Sequence, residues 1–423
     1  MQFVLQFVSR KAAVRSGSYT TSYNAGRPST IMANKNIAII GGGASAALLV
    51  SALSRHLNGN EFRIDIYDRA GAFARGIAYS TNQIEHLLNV RAGNMSAYAD
   101  DSAHFLTWLD GKYGALDFVP RKIYGDYLSD QIDAASKNLS LNFIQEDVLS
   151  CTPVSIETAN GHKSYDYVIQ ATGNCVALSC KAEQGIQLYY SSPWNIDYNT
   201  LASCKKIVLI GSGLSAIDFI LSLNAHNYRG QICVVSRNGL FPGVHADPFS
   251  YPPFLEEAPS TVRKTLQRVR KEIRKAQQEN IPWQAVIDSM RGMTNQIWHG
   301  WDARQKQLFQ SRLFTFWNVH RHRRAPLTQN ILTSLRNEGR LENQRAKVME
   351  IVNGPIVLTD KGAIDCDVVI NCLGYRYAEA GRDYQPYAAL GPAGFGPLLE
   401  TTAIPEIRAQ AYELAVKIIS ENK

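Results

Sequence analysis

The chain has 423 residues, 45% hydrophobic and 19% charged, with a formal net charge of +7. That balance excludes a disordered or fibrous chain and supplies core for two or three domains. No stretch of about 18 apolar residues occurs, so no membrane-spanning helix is predicted, and anionic cofactors or substrates account for the charge without nucleic acid.

Before the first strand come Arg10, Lys11, Arg15 and Arg27 among Ser, Thr and Ala, and the first acid of the chain is Glu61. Residues 1–35 therefore read as a mitochondrial transit peptide or as a stretch ahead of a true start at Met32. The second reading is preferred and predicts a cytoplasmic protein. The apolar run 37–40 then meets Gly41-Gly42-Gly43, and a helix opens at Ala44 with Leu49, Leu53 and Leu57 on one face. Gly41-x-Gly43-x-x-Ala46 has the spacing of a dinucleotide turn. Its glycines make the turn and admit a pyrophosphate, and a small third residue lets helix and strand pack closely. The helix start at Ala44 and Ser45 offers N–H groups to the phosphates. A second strand, 62–67, ends in Asp68, the position of a carboxylate that receives the adenosine ribose.

Helices are predicted over 101–109, behind a cap at Asp101-Ser102, and over 126–135. Strand 141–145 leads to Asp147-Val148, residues 156–158 belong to a hairpin meander, and the buried strand 167–170 ends in Ala171-Thr172-Gly173. Seven scattered cysteines with no C-x-x-C indicate a reducing compartment. Cys175 and Cys180 have a spacing used by dithiol reductases, but they follow the later turn, so ordinary buried thiols are the default.

Strand 206–210 opens a second turn, Gly211-Ser212-Gly213-Leu214-Ser215-Ala216, and the next strand, 231–236, ends in Arg237. A cation replaces the acid there. A guanidinium pairs with a 2′-phosphate that a carboxylate would repel, so NADPH is expected over NADH. Residues 256–324 are rich in lysine and arginine, with Trp283, Trp298, Trp301 and Trp317 interleaved, and read as a helical insertion with a solvated basic face. The insertion ends in His320-Arg321-His322-Arg323-Arg324. Such a cluster is either exposed or set against anions, which makes His320, Arg321 and Arg323 candidates for an anionic substrate. No acid or thiol beside His320 and His322 suggests a metal site. A helix at 329–337 and strands at 347–352 and 367–371 follow. The last strand runs into Cys372-Leu373-Gly374-Tyr375, an echo of the turn after 170, and Pro405 starts the final helix.

Two dinucleotide turns, each trailed by a strand ending in a Thr-Gly or Leu-Gly turn, resemble a two-dinucleotide-binding flavoprotein with FAD in the first site and NAD(P)H in the second. The segments GIAYS, HLLNVRAGNMSA, SRNGLFPGVH, VHRHRRAP and ETTAIPEIRAQA resemble the YdhS-like FAD/NAD(P)-binding family. That family is similar to the bacterial FAD-dependent urate hydroxylase and to nitrosuccinate-forming L-aspartate N-monooxygenases. The resemblance covers residues 36 to 423. It implies that Gly41, Gly43, Ala46 and Asp68 hold the ADP half of FAD, with Val148 beside the adenine and Gly173 and Gly374 along the cofactor crossing. It further implies Asn89 and Met95 near the isoalloxazine, and Gly211, Gly213, Ala216 and Arg237 around NADPH. Arg91 departs from the family pattern, which has proline there, and adds a cation to the flavin side.

The expected fold is α/β: a Rossmann-like flavoprotein with two dinucleotide-binding domains and a helical insertion. Residues 36–201 and 347–423 would form the FAD domain. Residues 202–346 would form the NADPH domain, including the insertion at 256–324. The expected activity is FAD-dependent, NADPH-using hydroxylation of a small anionic or nitrogenous substrate with O₂, with His245 as the catalytic candidate and Arg91 as a further substrate residue. A reductase or oxidase without oxygen insertion, and a non-catalytic FAD-binding redox sensor, remain open from sequence. The oligomeric state does not follow from sequence.

Overall fold

The computed structural model describes residues 35–56, 62–173, 176–186, 188–376, 382–396 and 398–422. The expectations for the first 34 residues, for Leu57 and Glu61, and for Cys175 lie outside them.

Two parallel sheets organise the chain, confirming the α/β Rossmann-like expectation. In the first, β1 (Lys35–Ile40), β2 (Phe62–Tyr67), β3 (Ser140–Ile144) and β4 (Tyr167–Gln170) run parallel in the order β4-β1-β2-β3, with the short strand Ala388–Ala389 beside β4. Ile37, Ile39 and Ile64 are fully buried, as strands covered on both faces must be. Helix α1 (Ala44–Arg55) covers one face, with α2 (Arg121–Ala135) and the C-terminal helix Ile404–Ser420 packed on it. Their side chains share one core with Leu49, Tyr124 and Ile418.

The second sheet has β5 (Lys206–Ile210), β6 (Gln231–Ser236), β7 (Leu341–Arg345) and β8 (Val368–Asn371) in the order β7-β6-β5-β8, with Tyr189–Tyr190 beside β8. Helix α3 (Leu214–Ala225) follows β5 as α1 follows β1. The domain boundary expected at 347 is corrected by this register. Ile207 to Ile210 pair with Val368 to Asn371, so β8 is the inner strand of the second sheet and not part of the closing FAD segment. The antiparallel meander Val348–Val352, Ile356–Thr359 and Gly362–Asp365 precedes β8, and Ile351, Val357 and Ile364 pack on the second sheet. Among the described residues, the return to the first domain comes after Tyr375–Arg376, at Asp383–Tyr384, which pairs with Val148–Thr152.

The insertion is helical, as its composition predicted: α4 (Val262–Gln278), α5 (Trp283–Ser289), α6 (Thr294–Gly300), α7 (Ala303–Arg312) and α8 (Phe314–Arg321). The Thr261 side chain accepts a hydrogen bond from the Lys264 N–H and so starts α4, and Asp302 starts α7 in the same way. Trp298, Trp301 and Phe309 form its core.

Candidate functional site

The two turns are built alike. Gly41 has φ +101° and Gly211 φ +104°, left-handed geometry that favours glycine. A Cβ on Gly41 would lie 2.4 Å from the Ala171 carbonyl oxygen, and one on Gly211 2.6 Å from that of Cys372. The backbone just past the neighbouring strand, β4 at the first turn and β8 at the second, therefore passes too close for any side chain. Neither α1 nor α3 has a side-chain cap, and among the described residues the Gly43, Ala44, Gly213 and Leu214 N–H groups have no backbone acceptor. Free N–H groups at a helix start, beside a glycine, are the donor set a pyrophosphate takes. Ala46 and Ala216 are buried where helix meets strand. The residues present thus fit a dinucleotide at both turns.

The surroundings differ. At the first turn, Asp68 is engaged inside the protein: its carboxylate accepts from the N–H groups of Gly42 at 3.0 Å and Ala70 at 2.9 Å. Gly76 lies over Gly43, with its Cα 3.2 Å from where a Cβ would stand. Ser45 packs under Gly391, whose φ is +67°. At the second turn nothing stands within 4 Å of a Cβ on Gly213, and Arg237 is exposed with no hydrogen bond or ion pair among the described residues. Ser212 donates to the Leu240 carbonyl at 2.6 Å and accepts from the Ser236 hydroxyl, 2.9 Å away, which fixes the β6 end beneath Arg237.

A cleft of about 740 Å³ opens from the second turn. Gly211, Gly213, Arg237 and Gly374 line it from the second domain, and Tyr79, Leu88, Asn89 and Arg121 from the first. Lys181 and Lys347 stand along it with Arg237. At its wall Arg121 of α2 pairs with Asp218 of α3 at 2.8 Å, joining the two domains. Burial pushes the Asp218 carboxyl up to about 6 and outweighs the attraction of Arg121. Beside this pair His86 bonds to Ser222 Oγ at 2.8 Å, and burial, with Arg121 nearby, lowers it to about 4. Sequence reading missed Arg121 and Asp218. A lone acid in the apolar helix 214–225 was the available signal, because an acid is seldom buried without a partner.

Several expected site residues lie elsewhere, and each has a physical reason. His245 does not line the cleft. Its Nε2 donates to the Asn89 carbonyl at 3.0 Å, Phe118 packs against its ring, and burial with Arg323 nearby lowers it to about 4. Its ring proton is committed to holding the second-domain loop on the first domain. Arg91 acts beside it, donating to the carbonyls of Leu116 at 2.6 Å and Ala246 at 2.8 Å. The basic cluster does meet anions, but they are the protein's own. Arg321 pairs with Glu400 and Glu406, each at 3.2 Å, and Arg323 pairs with Asp288 at 2.6 Å. His320 donates from Nδ1 to the Phe316 carbonyl at 2.7 Å and faces away from the cleft. His322, which was not among those candidates, lines the cleft, and burial lowers it to about 4. Met95 is buried in the first core. Val148 is buried too, and its carbonyl accepts from the Tyr384 hydroxyl at 2.6 Å. Gly173 (φ +65°) and Gly374 (φ +87°) have open space at Cβ. Among the described residues no cluster of His, Cys, Asp or Glu could hold a metal, and no helix is long and apolar enough to cross a membrane.

Residues 38–175 match a protein-family model described as FAD-NAD(P)-binding. The fold is the Rossmann-like fold of FAD/NAD(P)-binding flavoproteins. Among solved structures, the chain resembles the ornithine N-hydroxylase of Kutzneria sp. 744, with 12% identity and a TM-score of 0.58 over 92% of this chain and 100% of that one. Ornithine hydroxylase from Pseudomonas aeruginosa gives 16% identity and a TM-score of 0.59, with 92% and 100% coverage. The bacillithiol disulfide reductase of Staphylococcus aureus gives 13% identity and a TM-score of 0.54, with 93% and 100% coverage. No curated protein matches the sequence.

Proposed function

We propose that the protein is an FAD-dependent, NADPH-using monooxygenase that hydroxylates a small anionic or nitrogenous substrate with O₂. One observation carries the reading: the open second turn and the first domain's Leu88 and Asn89 line the same cleft. A nicotinamide held by Gly211 and Gly213 would extend toward the first domain, where FAD held by Gly41 and Gly43 would present its ring. When bound, the flavin supplies hydride acceptance and reaction with O₂. The chain's own residues bind, orient and exclude water. Gly43, Ala44 and Ser45 would hold the FAD pyrophosphate with Asp68 toward its ribose. Arg237, with Lys181 and Lys347 nearby, would hold the 2′-phosphate. Asp218, buried against the half-buried Arg121, would fix the wall of the cleft. The ornithine hydroxylases share the fold with this chain, which supports a nitrogenous substrate only as a class.

A second reading, an NADPH-dependent dithiol reductase, draws on Cys180 and Cys372, which both line the cleft. Burial pushes both thiols up, and a protonated thiol is a poor nucleophile. The monooxygenase reading is therefore preferred. Purified protein should be yellow, oxidise NADPH slowly alone, and do so faster with its substrate while consuming O₂ in equal amount. Rapid substrate-free NADPH oxidation with stoichiometric peroxide would make it an oxidase. A disulfide-dependent rate lost in Cys180→Ala would make it a reductase.

A further inference from the structure

A second cavity, of about 420 Å³, lies between the helices of the insertion and Leu399 of the C-terminal segment. Helix α8 is the wall between it and the cofactor cleft. Thr315, Asn318, Val319 and His322 face the cleft, whereas Leu313, Phe316, Trp317 and His320 face the cavity. Both sets follow the spacing of one helix face. On the far side α4 contributes Leu266, Val269 and Ile273, again one face. Trp298 and Trp301 line the cavity too. A void of this size with an apolar lining and few polar groups has the make-up of a ligand pocket.

Its charge selects the ligand. Among the described residues, the ionisable side chains lining the cavity are Arg270 and His320, with no acid. Both are exposed, and Arg270 has no hydrogen bond or ion pair among the described residues. The outer face of α4 adds Arg263, Lys264, Arg268, Lys271, Arg274 and Lys275. We infer that this cavity binds a single-chain amphiphilic anion, a medium-length alkyl carboxylate or its like, with the chain against the tryptophans and the head group on Arg270. The chain loses water-exposed apolar surface, and the anion remains at the wet rim beside a free guanidinium. The apolar run 3–8 of this chain is a poorer occupant, because Arg10 and Lys11 beside it carry the same sign as α4.

Sodium decanoate, kept below its micelle concentration, should quench or shift the fluorescence of Trp298, Trp301 and Trp317 in the full-length protein and saturate at one site by calorimetry. From hexanoate to decanoate affinity should rise about fourfold per methylene, the factor for burying one such group. Arg270→Glu should weaken decanoate at least fivefold and leave decanol unchanged. Leu266→Trp, which fills the void, should abolish both. If that variant does not fold, the exposed Arg270→Glu still decides. Absence of saturation, equal binding of decyltrimethylammonium, or binding seen only with vesicles of anionic phospholipid overturns the inference. So does a chain starting at Met32 that binds decanoate tenfold more tightly, since the run 3–8 would then be the occupant. Decanoate binding is read without turnover, so its failure leaves the cofactor assignment standing.

Discussion

The two glycine turns differ in what lies above them. Each has its left-handed glycine against a carbonyl just past the neighbouring strand, but the first is roofed by Gly76 and braced by Asp68, whereas among the described residues none covers Gly213 and none pairs with Arg237. A roofed turn suits a cofactor that stays, and an open turn beside a cleft suits one that exchanges each cycle. The helices differ as well. Helix α1 buries no ionisable side chain, whereas α3 buries Asp218 against Arg121. On the proposed reading, the same backbone device would serve two tasks, separated by side chains that do not belong to the glycine spacing.

The largest test of this difference is Gly41→Ala. It places a Cβ against the Ala171 carbonyl and demands a left-handed residue, costs that together amount to about 4 kcal/mol. Thermal unfolding should show a loss of that order together with loss of flavin. A fully stable, yellow Gly41→Ala protein would break the comparison. Gly213→Val adds bulk in open space, so the midpoint of unfolding and the flavin content should hold. NADPH affinity should fall about 100-fold, or roughly 2.7 kcal/mol.

A pH titration separates the helices next. The folded pKa of Asp218, about 6, lies above its unfolded value of 3.8, so the native state binds this proton more tightly. Stability therefore gains from Asp218 as pH falls from about 6 to 3.8. His86 has the opposite sign: lowered to about 4, it costs stability as pH falls from 6.5 to 4. Asp218→Asn removes the compensating gain. Its stability should fall more steeply with acid between pH 6 and 4 than that of the wild type, by at most about 1.4 kcal/mol per pH unit. Parallel slopes in denaturant titrations at each pH would show that Asp218 does not titrate there. The smallest expected effect is at Arg237. Because the guanidinium is exposed and screened by salt, Arg237→Ala should raise the KM for NADPH about tenfold and leave NADH nearly unchanged. Equal weakening of both cofactors would show that it does not read the 2′-phosphate.

What sequence revealed of this molecule was what one local stretch can encode. Glycine spacing after an apolar run is local, and both turns stand where 41–46 and 211–216 put them. The echo between the turns after 170 and 371 was local too, and it was the better guide to the second sheet than the break assumed at 347. The charge cluster was not local. Its residues required anions, and sequence offered a substrate, because Glu400 and Glu406 lie on the C-terminal segment and reach Arg321 only through the fold. His245 is a related case: a histidine in a glycine-rich loop is read from sequence as a catalytic candidate, whereas its ring partner, a carbonyl of the other domain, shows only in the fold.

The C-terminal helix carries a consequence for biosynthesis. Ile404, Ile407, Ala411 and Ile418 belong to the same core as α1 and β1, although the whole second domain comes between them in the chain. A ribosome therefore delivers the first glycine turn before the second domain and the helix that completes its core after it. The second domain, finished once β8 is out, can fold on a chain whose first domain is still open. Released chains truncated just before residue 404 should thus hold a formed second domain and a first domain unable to retain flavin.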